Sequence, residues 1–256
     1  MLCLLNILGH FLLTFFKPNR ASFTMVEAVK VTKEIFKEVY PIANTDVIPH
    51  ILKYAAKYEI NTKKRMAAFL AMCFIESTGF RRSVENMKYS PSRLRDIFSS
   101  VKDLAQAQQL CAGGEKAIAN YVYGNILGNR GRDTDDGYNY RGRCAIQVTG
   151  LSNYKAVKDS TGIDCVNHPE LLEQPEYNII AAMDFWKRNR CNEQADKIPL
   201  VFNGYTIRKL DKNGNLSQDF RDSPELISLR KIVNKKCLGL TDLGLHFENL
   251  MKAFVA

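Results

Sequence analysis

Apolar residues recur at three- and four-residue steps along most of the chain, the spacing of amphipathic α-helices. The clearest case is residues 61–76, where Asn61 or Thr62 can cap a helix that contains the apolar run AAFLAMCFI. Similar spacing predicts helices over residues 25–40, 44–59, 91–98, 101–111, 114–122, 153–160, 176–190, 224–234 and 241–254. Polar stretches at 77–90, 124–140 and 161–169 indicate loops. The pattern therefore predicts a mainly α protein.

Extended patterns are confined to two segments. Residues 205–220 alternate around Asn213-Gly214, a dipeptide typical of a β-hairpin turn. The segment RCAIQVTG at 143–150 fits either a short strand or a buried irregular stretch. Since the sequence has no internal repeat, low-complexity tract or Gly/Ser linker, we expect one α-rich domain over residues 25–256 with a small β-hairpin element.

The apolar start of the chain, MLCLLNILGHFLLTFF, is shorter than the roughly 20 residues that a membrane-spanning helix needs. It has the length of the apolar part of a signal peptide, although no charged region precedes it. Met25 offers another interpretation, in which translation starts there. Residues 1–24 are thus expected to be a signal or anchor segment or a start-site artefact.

Composition and charge narrow the class of protein. Hydrophobic (46%) and charged (25%) contents are ordinary for a folded chain, which argues against disorder. The net charge of +9 suits polyanionic surroundings such as nucleic acid, anionic lipid or an acidic wall polymer. The basic residues are spread along the chain without an aromatic platform, so no nucleic-acid partner is expected.

Cysteines and histidines give little sign of a metal site. The seven cysteines include no CxxC pair, and the four histidines are scattered. A disulfide such as Cys165–Cys191 is compatible with the sequence but does not follow from it. We therefore expect no metal.

Two glutamates, Glu76 and Glu85, lie nine positions apart. Hydrolysis of a glycosidic bond uses one carboxylic acid to protonate the leaving oxygen and one carboxylate to activate water or attack carbon. Glu76 ends the most apolar helix, where burial would raise its pKa, whereas Glu85 lies in a polar loop and would stay ionised. Spacing alone is a weak indication, because two solvated surface acids would give the same pattern.

The segment 123–154 is rich in Gly, Tyr, Asn, Asp and Arg. Such a composition disfavours a helix and suits the wall of a sugar-binding groove, since Tyr and Asn can stack on or hydrogen-bond to pyranose rings. The alternative is a solvated loop followed by a strand.

Taken in order, these segments resemble glycoside hydrolase family 19, which includes chitinases, and within it the phage-endolysin branch. The resemblance covers roughly residues 45–256 and is carried by IESTGF, ENMKYS, YGNILGN, DGYNYRGRCAIQVTGLSNY and Phe185-Trp186. It implies a lysozyme-like, mainly α-helical fold with a deep groove. It also implies inverting, single-displacement hydrolysis of β-1,4 bonds next to N-acetylglucosamine, with no cofactor.

The resemblance assigns roles to particular residues. It makes Glu76 the general acid, Glu85 the general base and Thr149 the hydroxyl that helps to hold the attacking water. The positions that match groove-lining, substrate-binding or bracing residues are Tyr140, Arg141, Gln147 and Tyr154. The segment LRKIVNKKCLGLTDL places the substrate-binding asparagine of the last motif at Asn234, with Asn203 in VFNG as a rival.

The chain departs from the family pattern at several positions. Lys235 and Lys236 replace two glycines, and Cys144 replaces another. Because lysine does not readily adopt positive φ, we expect a changed groove floor. An insertion at about 198–223 contains the expected hairpin. Arg141 or Arg143 is expected to pair with the buried acid.

The sequence thus predicts a glycosidase acting on N-acetylglucosamine-containing wall polymers, either peptidoglycan or chitin. A catalytically inactive carbohydrate-binding relative is the alternative. The expected partner is the polysaccharide, and we expect a monomer that is secreted or directed to the cell wall, or cytoplasmic before release if it is of the phage type. Membrane association is expected only if residues 1–24 are retained.

Overall fold

Helices dominate the computed structural model, which describes residues 29–201, 204–205, 213 and 220–255. Within these ranges the α-helices are α1 (Lys33–Val39), α2 (Ile48–Tyr54), α3 (Lys63–Glu76), α4 (Pro91–Ile97), α5 (Leu104–Ala112), α6 (Gly114–Tyr123), α7 (Asp136–Asn139), α8 (Leu151–Thr161), α9 (Pro175–Arg188), α10 (Cys191–Asp196), α11 (Pro224–Val233) and α12 (Leu240–Val255). Short 3₁₀ helices lie at Pro169–Glu173 and Phe220–Asp222. The mainly α class is confirmed.

Side-chain caps decide where several helices begin. Thr62 accepts a hydrogen bond from Arg65 N and starts α3, which selects Thr62 over Asn61 as the cap. Thr32 does the same for α1 through Ile35 N at 3.3 Å. The predicted helix over 25–40 therefore begins only at residue 33, because Thr32 is the extended N-cap and residues 29–31 before it are not helical. Residues 25–28 lie outside the described part.

Two other local predictions need correction. The helix expected over 176–190 ends at Arg188, and Arg190 adopts φ 56° before α10 starts. Of the two alternatives for 143–150, the structure shows the buried irregular stretch, in which Arg143 makes isolated bridges to Val84 and Val148. The short helix α7 lies inside the predicted loop 124–140.

The described β-structure is one small ladder. Strand β1 (Leu200–Val201) pairs antiparallel with β2 (Gly204–Tyr205), with Leu200 opposite Tyr205. The hairpin predicted around Asn213-Gly214 lies outside the described residues except for Asn213, so it stays a prediction. The leader at 1–24 also lies outside them.

Helix α3 forms the centre of the larger of two hydrophobic cores. Every residue from Met66 to Phe74 is buried, so this helix is apolar on all sides. Helix α12 packs along it, and α10 contacts another face. The ring of Phe69 meets Trp186 of α9 edge to face at 5.5 Å. We call the buried residues around α3, α9 and α12 the large core.

A separate small core is built from α4, α5, α6 and the loop before α4. Its buried members are Met87, Leu94, Val101, Ala107, Ile118, Ala119 and Val122. Tyr89 and Tyr123 pack against it and leave part of their surface exposed. Two cores that do not merge leave a seam between them, and the candidate site lies along it.

Six cysteines lie in the described part of the chain, and all six are unpaired. They include Cys165 and Cys191, so the disulfide that the sequence allowed is not formed. The helices in the described ranges are all too short or too polar to cross a bilayer.

Candidate active site

A cavity of about 600 Å³ opens at the seam, and both Glu76 and Glu85 lie in its wall. A neighbouring cavity of about 460 Å³ shares four wall residues with it, which are Tyr123, Gln147, Thr149 and Val233. The two cavities therefore form one continuous groove. The sequence-predicted acids face a common space that is large enough for a sugar ring.

Glu76 is the last residue of α3, at the edge of the large core. Its side chain keeps 15% of its surface exposed and forms an ion pair with Arg230 of α11, whose side chain is only 2% exposed. Arg230 Nε also donates to Leu238 O at 2.8 Å, which fixes the guanidinium. The acid at the groove is therefore held by a cation from the other end of the chain.

The predicted pairing of this acid with Arg141 or Arg143 is wrong. Arg143 donates to Glu173 at 2.8 Å and to Asn139 O at 2.6 Å. Arg141 lies over the ring of Tyr138, 4.0 Å from its centroid, and donates to Tyr138 O at 2.7 Å. Both arginines brace the segment from residue 138 to residue 154, which we call the wall segment.

The sequence carries a signal for the role of Arg230. It lies in the helix before the last family motif, at a register shared with the buried residues Leu226 and Leu229. A charged residue on a buried helix face needs a partner, because an unpaired buried charge is costly. That partner is Glu76.

Both oxygens of Glu85 are held in place. Tyr123 Oη donates to Oε1 at 2.7 Å, and Gly142 N donates to Oε2 at 3.1 Å. Glu85 N in turn donates to Gly142 O at 2.8 Å. Burial raises the pKa of Glu85, while the hydrogen bonds from Tyr123 and Gly142 and the charge of Arg141 oppose the rise.

Glu85 is therefore not the solvated acid that the sequence predicts, whereas Glu76 is mostly buried as expected. Glu85 lies in a loop that is polar in sequence, but the segment around Gly142 packs over it and shields part of it from solvent. Glu76 ends an apolar helix, yet it meets a guanidinium instead of an apolar wall. In both cases the deciding contact comes from residues distant in sequence.

Thr149 and Gln147 lie side by side in the groove wall. Thr149 Oγ1 donates to Gln147 O at 3.0 Å, and Gln147 Nε2 donates to Cys144 O at 3.1 Å. Gln147 and Cys144 both have positive φ, at 58° and 63°. Cys144 thus takes the left-handed conformation that glycine favours, at the position where the family pattern has glycine.

Tyr140 and Tyr154 do not line the groove. Tyr140 is 7% exposed and its hydroxyl donates to Val166 O at 3.0 Å. Tyr154 is fully buried and donates to Arg141 O at 2.8 Å. Their rings meet edge to face at 5.1 Å. Both residues, and Arg141 with them, brace the wall, so their assignment as substrate-binding residues is corrected to a structural one.

Asn234 lies in the groove wall with the two acids, at the C-terminal end of α11. Its Oδ1 accepts a hydrogen bond from Lys236 N at 3.1 Å. Neither Lys235 nor Lys236 has positive φ; the left-handed residues of this turn are Cys237 and Gly239. The backbone at these two lysines is therefore unstrained, and the changed groove floor stays a prediction. The rival Asn203 lies outside the described residues.

In the ranges that the structure describes, no cluster of three or more Cys, His, Asp or Glu side chains has the arrangement of a metal site. The chemistry available at the groove is that of two carboxylates, the buried guanidinium of Arg230, the cations of Arg82 and Lys235, and neutral hydrogen-bonding groups.

Comparison with known proteins gives one clear relative. A glycosyl hydrolase family 19 domain-containing protein from Haemophilus influenzae is 31% identical over 166 residues, which are 65% of this chain and 81% of the relative. Among solved structures, chitinase C from Streptomyces griseus is 20% identical over 62% of this chain and 67% of its own, with a TM-score of 0.38. A bacterial family 19 chitinase is 21% identical over 61% of this chain and 66% of its own, with a TM-score of 0.35. No family model matches the chain.

Proposed function

We propose that this chain, which belongs to glycoside hydrolase family 19, hydrolyses β-1,4 bonds in polysaccharides that contain N-acetylglucosamine. One observation carries the proposal: Glu76 and Glu85 lie in the wall of the same groove, together with Thr149 and Asn234. Two carboxyl groups facing one sugar-sized space are what glycoside hydrolysis requires.

In the proposed mechanism Glu76 carries a proton on Oε2 when the substrate is bound and transfers it to the leaving oxygen. Arg230 then stabilises the carboxylate that forms, because its guanidinium contacts Glu76 Oε1. Glu85 accepts a proton from the attacking water. Each of its oxygens accepts one hydrogen bond from the protein and keeps further acceptor capacity for that water.

Thr149 and Asn234 have supporting roles. The hydroxyl proton of Thr149 is donated to Gln147 O, so its oxygen is free to accept a hydrogen bond from the water that attacks. The amide of Asn234 reaches the same cavity and suits an acetamido group or a sugar hydroxyl. Inversion requires carboxyl groups about 6.5–9.5 Å apart in the substrate complex, so that water fits between sugar and base.

Between the two substrates, we favour peptidoglycan. The phage-endolysin wording of the motifs and the net charge of +9 both suit an anionic wall polymer. Arg82 and Lys235 lie in the groove wall, where they can meet carboxylates of a peptide-substituted glycan. Chitin is the other candidate, since the bond broken is chemically the same.

The test is product analysis on purified peptidoglycan and on a chitin hexamer, with NMR of the first product to identify the anomer. We expect release of the α-anomer, because a β-linkage cleaved by inversion gives α. Glu76→Gln and Glu85→Gln should each lower the rate by about 10²–10⁴-fold. Glu170→Gln, at a carboxylate that is 65% exposed, serves as the matched control and should be fully active. Near-normal hydrolysis by both active-site variants would refute the assignment.

An inactive carbohydrate-binding relative is the second candidate, favoured by the loss of the glycine pair at Lys235-Lys236. It predicts oligosaccharide binding by calorimetry without any product, and binding that Glu76→Gln leaves unchanged. A measurable rate that falls in both glutamate variants would exclude it.

A further inference from the structure

Tyr123 lies where the two parts of the groove meet, at the C-terminal end of α6. Its ring packs against Phe98 in a perpendicular arrangement, with centroids 6.0 Å apart. Its hydroxyl donates to Glu85 Oε1 at 2.7 Å. The ring is thus fixed by the small core, while the hydroxyl reaches the proposed general base.

We propose that Tyr123 is a positioning residue, whose hydroxyl, together with Gly142 N, fixes the plane and direction of the Glu85 carboxylate in the groove. The inference rests on the proposed function, because it assigns Tyr123 to the base of that reaction. With one oxygen held by each donor, the carboxylate cannot rotate about its terminal bond without losing a hydrogen bond. A fixed carboxylate presents its free lone pairs in one direction only.

The charges around Glu85 come from several elements. The groups that face it or share its cavity are Tyr123 on α6, Tyr89 and Arg82 in the loops before α4, Arg141 in the wall segment and Glu76 on α3. Tyr123 favours the ionised form of Glu85 by a hydrogen bond, whereas Arg141 does so by its charge. Burial favours the neutral form and is the largest effect, so losing either of these two interactions should raise the pKa of Glu85 further.

Tyr123 itself remains a hydrogen-bond donor over the working pH range. Burial and the neighbouring Glu85 raise the pKa of Tyr123 well above its ordinary value. A neutral phenol beside a carboxylate donates its proton in a single direction, toward the carboxylate oxygen. The hydroxyl therefore cannot replace Glu85 as a base, and its effect must act through Glu85.

The first test is the pH dependence of kcat/KM in Tyr123→Phe. This variant keeps the ring and its packing on Phe98 but removes the hydroxyl. We expect the acidic limb of the profile to move to higher pH, with kcat falling about 10- to 100-fold on that limb, the factor by which a hydrogen bond to a charged group shifts an equilibrium. KM should change far less, because the hydroxyl is committed to Glu85.

Tyr121→Phe is the matched control on the same helix. Its hydroxyl accepts from Gln106 Nε2 at 2.7 Å and contacts Ser100 O at 3.3 Å, and Tyr121 does not line the groove. A general effect of removing a phenol hydroxyl from α6 would appear in both variants. A shifted acidic limb in Tyr123→Phe alone is the expected result.

A second readout does not depend on activity. The Glu85 carboxyl carbon is titrated by NMR in the full-length protein with ¹³C-labelled glutamate, and its signal is assigned from the spectrum of Glu85→Gln. We expect the pKa of Glu85 to be higher in Tyr123→Phe than in the wild type. An unchanged titration and an unchanged acidic limb would overturn the inference. A shifted titration in a protein without hydrolytic activity would uphold the contact and refute the proposed function.

Discussion

The ion pair between Glu76 and Arg230 makes a quantitative prediction for stability. We consider Arg230→Met, which keeps a flexible, unbranched but shorter side chain and removes the charge. Arg230 is 2% exposed, and Glu76 is 15% exposed. Removing the cation leaves the carboxylate at the edge of the large core without its partner.

Breaking a buried ion pair by removing one member costs about 3–5 kcal/mol. Glu76 retains contact with the groove, where water can partly hydrate it, so we place the effect at the lower end of that range. Leu238 O also loses the donor Arg230 Nε, a hydrogen bond worth about 1 kcal/mol. The expected loss in the free energy of unfolding is therefore about 3–4 kcal/mol.

Urea denaturation at pH 7 measures this loss. With a urea m-value of about 2–3 kcal/mol/M, the midpoint should fall by about 1–2 M while the slope stays constant. Arg190→Met is the control, since Arg190 pairs with Glu193 at the surface, where the two side chains are 75% and 50% exposed. Its midpoint should match that of the wild type.

The double variant Arg230→Met/Glu76→Gln completes the cycle. Because it removes the unpaired charge as well as the cation, it should be more stable than Arg230→Met alone. A loss below about 1 kcal/mol in Arg230→Met, or no recovery in the double variant, would refute the ion-pair argument.

Three further predictions concern the pH dependence of stability, the position of the Glu85 carboxylate and the buried carboxylate of Asp136. Burial lowers the pKa of His246 below its ordinary 6.5, so the unfolded chain takes up this proton at a higher pH than the folded protein does. The free energy of unfolding should therefore fall as the pH drops below about 6.5. In urea titrations between pH 7 and 5, His246→Phe should reduce this dependence on pH. In Gly142→Ala the new Cβ would lie 2.6 Å from Gln147 Oε1 and 3.3 Å from a Glu85 oxygen, so the Glu85 carboxylate must move. We expect kcat to fall about 10- to 100-fold with little change in Tm, and an unchanged kcat would contradict this. Asp136→Asn, at a buried carboxylate bound by Arg130 N, Nε and Nη2, should lower Tm by about 4 °C or more in calorimetry, and an unchanged Tm would count against it.

Local sequence patterns predicted most of the helices because the causes of a helix are local. The cap at Thr62 and the apolar run after it lie within one stretch of chain, and α3 formed within two residues of its predicted start. Helix α1 was predicted too long because the apolar spacing of Val29 and Val31 continued across the cap at Thr32. Both valines are buried, but they lie in a non-helical segment.

The environments of the two acids could not be predicted in the same way. Arg230 lies 154 positions from Glu76, and Gly142 lies 57 positions from Glu85. Periodicity says which face of a helix is apolar, but it does not say which distant segment covers that face. The family resemblance located the acids, whereas their partners became visible only in three dimensions.

The two separate cores have a mechanical consequence. Glu76 is anchored to the large core, whereas Glu85 is held from both sides, by Tyr123 at the small core and by Gly142, whose neighbours Tyr140 and Cys144 belong to the large core. The separation of the two carboxyl groups therefore depends on how the small core is seated against the large one. Under the proposed function, that separation is sensitive to side chains such as Leu94, which pack the small core without lining the groove.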